Sequence, residues 1–366
     1  MFDDIRPYVD AEIPAAMQRI VADKYFPLVC EFLFPGRSVQ SIAATLGSCR
    51  TAEEFQYRFM YDAIWSLANQ TTDGLSVEGM ERLDPRQDYL FVSNHRDIVL
   101  DAAFLQVLLV DAGRRTSEIT FGANLMQGQM VIDIGRSNKM FRVERPTTVT
   151  SPRDFLLRSK YLSDYIRYTL REKKESVWIA QRNGRTKDGV DATDQGIVKM
   201  FGLSGGKDRV EALAELNIAP LAISYEWEPC DLLKAMELYA RSTGQPYIKK
   251  PGEDFNSILT GIQQPKGRVH LVVCEPIRKE ELEAFAHLPS AAFNREVAAL
   301  IDRRIRPAYR LYPNNYIAAD ILSGKRTHSY TEAEYQRFQE HLKEVDGYPD
   351  ELRDILLHIY ANPVIS

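Results

Sequence analysis

The sequence predicts an α/β fold: a mixed, largely parallel sheet flanked by helices, with a helical segment before it and a mostly helical extension after it. Three observations predict this. Residues 1–80 carry apolar positions at helical spacing. From residue 81, short apolar runs alternate with amphipathic stretches, the pattern of strands exchanged with crossover helices. Beyond residue 280 the runs stop and helical periodicity continues. The chain therefore divides into a helical segment at 1–80, an α/β domain at 81–280 and a helical extension at 281–366 packed on that domain. A composition of 45% hydrophobic and 27% charged residues supplies a core of the needed size and argues against a disordered chain.

In the first segment, Ile13, Met17, Ile20, Val21, Leu28, Val29, Phe32 and Leu33 recur at helix spacing, with Pro27 as a break or kink. Thr51 and Glu54 form a capping box, and the helix it opens carries Phe55, Phe59, Ile64 and Trp65. The aromatic pieces around Phe26 and Phe34 suit core packing, and their outer faces suit a bilayer interface. Strands are expected at Tyr89–Val92, Ile119–Phe121, Met140–Val143, Val177–Ala180, Ile218–Ile223 and Val269–Val273. Between them, helices are expected at 98–112, 151–172, 193–203, 208–216 and 229–242. The extension reads as helices at 278–286, 289–308, 331–343 and 349–360.

Several function classes are disfavoured. A net charge of −5 argues against nucleic acid as a partner, because phosphate neutralisation needs a basic face. The acidic start MFDDIRPYVD lacks a signal peptide's basic and apolar regions, so a cytoplasmic location is expected. The longest apolar stretch, Ile98–Ala112, contains Asp101 and Asp111, so lipid would be met from the surface. Cys30, Cys49, Cys230 and Cys274 lie far apart without a C-x-x-C pair, which favours buried thiols over disulfides or zinc. The remaining histidines show no metal-ligand spacing, and no metal is expected. No G-x-S-x-G elbow supports a serine hydrolase, and His95-Arg96-Asp97 lacks the kinase's downstream Asn and D-F-G.

The stretch that carries chemistry is Ser93-Asn94-His95-Arg96-Asp97-Ile98-Val99-Leu100-Asp101, which follows a strand and opens a helix. This is the carboxyl end of a strand, where α/β sheets place their ligands. A carboxylate that accepts from one imidazole nitrogen fixes the tautomer and leaves the other free to take a proton from a hydroxyl. Asp97 and Asp101 are both candidates, and Asp101 is favoured because it can point back from the following helix.

These residues, with four later blocks, resemble the glycerophospholipid acyltransferase superfamily over about residues 75–280. Asn94-His95 resembles that family's N-H-x4-D block, with its acids at Asp97 and at Asp101, the latter one position beyond the usual spacing. Residues 138–145 resemble its G-x-I-F-I-x-R block at Phe141 and Arg145. Gln181-Arg182-Asn183-Gly184-Arg185-Thr186 resembles F-P-E-G-T-R-S, keeping the Gly and an Arg but placing Asn183 where Glu is usual. Ile218–Ile223 resembles the apolar strand around a proline, and Gly267–Ile277 the strand ending in G-E-P-I. The order of the blocks is more specific than any one of them.

The resemblance implies an acyltransferase of phospholipid biosynthesis, with His95 as general base and Asp101 or Asp97 as its partner. Arg145, Arg182, Asn183, Gly184 and Arg185 would bind the acceptor, because guanidinium forks suit phosphate oxygens. It implies no cofactor, with acyl-CoA or acyl-carrier protein as co-substrate. The acceptor would be a lysophospholipid such as 1-acyl-glycerol-3-phosphate (lysophosphatidic acid), or alternatively glycerol-3-phosphate or a lyso-aminolipid. The enzyme would sit peripherally on the inner face of the membrane. The shifted acid and Asn183 also allow a lipid- or carrier-binding module without catalysis.

Overall fold

The structure is a computed structural model that describes residues 2–144, 151–244 and 247–365. Seven strands form one sheet: β1 (Thr72–Glu78), β2 (Leu90–Ser93), β3 (Glu118–Gly122), β4 (Met140–Val143), β5 (Val177–Ala180), β6 (Ile218–Tyr225) and β7 (Gly267–Val273). Their order is β1-β7-β6-β2-β5-β3-β4. The run β6-β2-β5-β3-β4 is parallel throughout. β7 pairs antiparallel with β6, and β1 pairs parallel with β7. This is the mixed, largely parallel α/β sheet that the sequence predicts.

Six of the strands coincide with the apolar runs. Successive side chains of a strand point to opposite faces. Leu90, Val92, Val177 and Ile179 accordingly enter one buried cluster, with Val297, Ile301 and Ile305 from the helix Ser290–Ala308. Phe91, Trp178, Leu221 and Leu271 enter the other, with Leu100, Phe104 and Leu108 from the helix Leu100–Asp111. Strands covered on both faces read as unbroken apolar runs, which explains why they were legible. The helix Leu100–Asp111 is buried along ten consecutive residues, so it too reads as a nearly continuous apolar run.

The N-terminal helices, among them Ile13–Ala22, Phe26–Leu33 and Val39–Ser48, build a cluster of their own around Met17, Phe26, Phe34, Phe55 and Phe59. Their outer side leaves Tyr25 and Leu28 exposed. All four cysteines are buried free thiols. A further cluster joins Trp227 to the C-terminal helices Pro313–Ser323, Glu332–Leu342 and Asp350–Ile365 through Ile317, Phe338, Leu356 and Tyr360.

His341 seals that C-terminal layer to the body, with Nε2 2.6 Å from Asp231 Oδ2 and Nδ1 3.2 Å from Glu344. Burial opposes its charge, but the bond to Asp231, followed by Glu344, outweighs burial and raises its pKa above 6.5. A raised folded-state pKa adds stability that is complete below the unfolded value and fades as pH climbs through the folded one. His341→Gln should therefore melt well below the wild type at about pH 5.5, with the gap narrowing by about pH 8.5. A gap that stays constant across that window would remove the ion pair from the account.

Candidate active site

The parallel strands end on one edge of the sheet, and the loops leaving them build a cavity of about 680 Å³. His95 follows β2, Gly122 and Leu125 come with β3, Glu144 follows β4, and Arg182–Gly184 follow β5; all line this cavity. Its walls are apolar, including Phe121, Leu125, Leu162, Ile179, Met200 and Leu203. Such a size and lining suit a ligand with a substantial hydrocarbon part, within the roughly 300–1,000 Å³ of ligand pockets. The helix Pro152–Tyr168 contributes Phe155 and Leu156 to the lining, and both are also exposed to solvent.

His95 stands at the wall with its side chain 14% exposed. Its Nδ1 lies 2.9 Å from Asp101 Oδ2, and its ring meets Trp178 edge-on at 5.9 Å between centroids. Among the described residues, none hydrogen-bonds Nε2. The fully buried Asp101 carboxylate takes three more donors: the Arg96 amide at 2.7 Å, the Asp97 amide at 3.0 Å and the Tyr225 hydroxyl at 2.8 Å. A carboxylate held this way is fixed in place. Burial, and then the Asp101 charge, push the Tyr225 phenol well above its ordinary pKa, so it remains a donor.

Asp97, the other candidate partner, is turned away from His95. Its Oδ1 accepts the amides of Val99 and Leu100 at 2.8 and 2.7 Å and so caps the start of the following helix. Its Oδ2 is buried against Gly261, where an added methyl would stand 2.2 Å away. The geometry thus joins His95 to Asp101 and gives Asp97 a backbone role. Asn94, beside the histidine, bridges to β6: its amide donates to Ile223 O at 3.0 Å and its oxygen accepts from Ile223 N at 2.8 Å.

The 181–186 turn splits the remaining candidates. Arg182, Asn183 and Gly184 line the cavity. Gly184 has φ +76°, a left-handed conformation that reverses the chain. Beyond it, Thr186 donates to His95 O at 2.7 Å. Arg185 is not among the lining residues; it turns toward Cys230, whose buried thiol it influences, and its Nη1 is buried without a hydrogen-bond partner. Arg145 lies outside the described residues. Arg182→Ala should raise the acceptor KM several-fold while leaving the donor KM unchanged. Arg185→Ala should leave the acceptor KM near wild type and lower the melting temperature; steady-state kinetics and thermal melts check both outcomes.

Residues that the sequence reading did not assign to the site include Tyr225, Trp178 and the apolar walls. The wall residues come from segments scattered between Ile98 and Leu203, and each looks like an ordinary core residue in its own stretch. Lys199 joins Arg182 as a basic residue lining the cavity.

Residues 74–224 match the acyltransferase family model, a span that opens in β1, closes in β6 and contains His95, Asp101 and the 181–186 turn. That stretch of the chain is similar to the acyltransferase family. The matched span holds ordered blocks that resemble the glycerophospholipid acyltransferase superfamily, among them Asn94-His95, 181–186 and 218–223. No curated protein matches it significantly. Among solved structures it is similar to the crystal structure of the 1-acyl-sn-glycerophosphate (LPA) acyltransferase PlsC from Thermotoga maritima. That likeness has 15% sequence identity, covers 80% of this chain and 94% of that one, and has a TM-score of 0.34. It is too loose to transfer residue roles.

Proposed function

We propose that the protein moves a fatty acyl group from a thioester, acyl-CoA or acyl-carrier protein, to a hydroxyl of a lysophospholipid such as 1-acyl-glycerol-3-phosphate. One observation carries this reading: an imidazole oriented by a buried aspartate at the wall of a large apolar cavity. His95 Nε2 takes the acceptor's hydroxyl proton as the oxygen attacks the thioester carbonyl carbon. The C–S bond then breaks, and the departing thiolate takes the proton back from the imidazolium. The step needs neither a metal nor a covalent enzyme intermediate. Arg182, Asn183 and Lys199 would face the acceptor's polar head.

Peripheral contact with the inner face of a membrane completes the reading. No described helix is long and apolar enough to cross a bilayer. Phe155, Leu156 and Leu157 form an exposed apolar run beside the cavity, which supports access from a lipid surface. A second acceptor class has its own support. Arg182 is the one arginine lining the cavity among the described residues, and Asn183 carries no charge, so the site is also compatible with a lyso-aminolipid. Purified protein offered acyl-CoA and carrier-protein donors against lysophosphatidate, glycerol-3-phosphate and a lyso-aminolipid, with products identified by mass spectrometry, separates these. Fastest turnover of lysophosphatidate supports the first reading, and preference for either other acceptor replaces it.

A further inference from the structure

We propose that Arg96 is a positioning residue through which the C-terminal helical layer sets the His95–Asp101 bond; this rests on His95 being the base. Arg96 is 1% exposed, and three parts of it are held. Its guanidinium meets Asp191 through Nε at 3.2 Å and Nη2 at 2.8 Å, Gly189 O at 3.1 Å and Glu228 Oε2 at 3.0 Å. Its carbonyl accepts from Lys234 Nζ at 2.7 Å, and that ammonium also meets Glu228 Oε1 at 2.5 Å. Its amide donates to Asp101 Oδ2, the oxygen that faces His95 Nδ1. A shift in Arg96 therefore moves the peptide that carries the histidine and a donor on the histidine's partner together.

The same network extends outward. Asp191 also holds Asn94 at 2.9 Å and Thr186 at 2.8 Å, on either side of the His95 peptide. Tyr309, at the end of the helix Ser290–Ala308, lies over the guanidinium at 4.7 Å. The Glu228 amide donates to the Tyr360 hydroxyl at 3.2 Å, and that hydroxyl donates to Asp231 at 2.6 Å. Gly189, whose carbonyl binds Arg96, is pressed on the Asp350–Ile365 helix: a methyl there would lie 2.3 Å from Ile359 O. The contacts to Tyr309, Tyr360 and Ile359 come from beyond the 74–224 match. A buried ionic cluster adds little net stability over an apolar core of the same shape, but it does define one geometry. Here the geometry it defines is that of the histidine loop.

The test uses the full-length protein with Glu228→Gln, which keeps shape and loses charge, Arg96→Lys and Arg96→Met, and Tyr309→Leu, which removes the ring over the guanidinium and leaves every charge of the ion pairs in place. Two readouts are taken: kcat and KM across pH, and the His95 ring resonances by NMR with ¹⁵N-labelled histidine. The expected result is a kcat lower by roughly tenfold to a hundredfold with KM little changed, a moved acidic limb of the kcat profile, and displaced His95 resonances. Arg96→Lys should recover part of the loss seen in Arg96→Met. Folded variants whose His95 resonances and kcat profile match the wild type would overturn the proposal. Displaced resonances with normal kcat would keep the coupling and instead remove His95 as the base. If the charged variants do not fold, Tyr309→Leu decides by the same readouts.

Discussion

His95→Gln lowers the rate of acyl transfer by roughly a hundredfold to ten-thousandfold, the range that a general base supplies, and leaves the melting temperature within a few degrees of wild type. The two outcomes are separable because the ring's recorded hydrogen bond, to Asp101 Oδ2, is only one of several on that carboxylate. The Arg96, Asp97 and Tyr225 donors remain when the ring is replaced. Glutamine fills similar space and can still donate, but it cannot accept a proton at neutral pH. Donor and acceptor KM should change little, since the apolar walls and the Arg182 end of the cavity are untouched. A folded variant with near-normal turnover would remove the histidine from the chemistry.

Asp101→Asn is expected to be nearly as damaging, with a loss on the order of a hundredfold or more in kcat. Its oxygens accept from His95, two amides and Tyr225. An amide side chain has one oxygen and one NH₂. If the oxygen stays on the amides, the NH₂ points at the Tyr225 hydroxyl; if it turns, the NH₂ opposes the imidazole and favours the wrong tautomer. Either choice also leaves a buried group unpaired, at about 1–3 kcal/mol of stability. Tyr225→Phe is the control, because it removes one donor and leaves the bond to His95. It should cost some stability and keep most of kcat; thermal melts and pH–rate profiles of the pair check this.

The aspartate was legible in the sequence because the contact is local: it lies six positions after the histidine, and the intervening turn brings a helix start back to the strand end. Asp97, the alternative closer in sequence, instead accepts the amides of Val99 and Leu100. Arg185, expected at the acceptor, does not line the cavity, and the direction of a side chain after a left-handed glycine is not written in a motif. Arg182 lines the cavity and Arg185 does not, and the left-handed Gly184 lies between them. Among strands, β1 went unread: Thr72–Glu78 holds Asp73 and Gly74 and is an edge with mostly exposed or half-buried residues, so it lacks an apolar run. The helices Gln129–Ser137, Glu253–Gln263 and Pro313–Ser323 were also missed. The first two bury small or polar residues, Asp133, Gly135 and Ser137 in one and Ser257 and Gly261 in the other, and the third is buried on several sides, so in none does an apolar stripe mark the buried face.

The central claim is transfer rather than hydrolysis or mere binding. The most direct test mixes purified protein with an acyl thioester and a lysophospholipid and measures released thiol and acylated product together. The account predicts one ester formed per thiol released, at a rate that rises with acceptor concentration. Thiol release that ignores the acceptor, or acceptor binding with the thioester left intact, would contradict it.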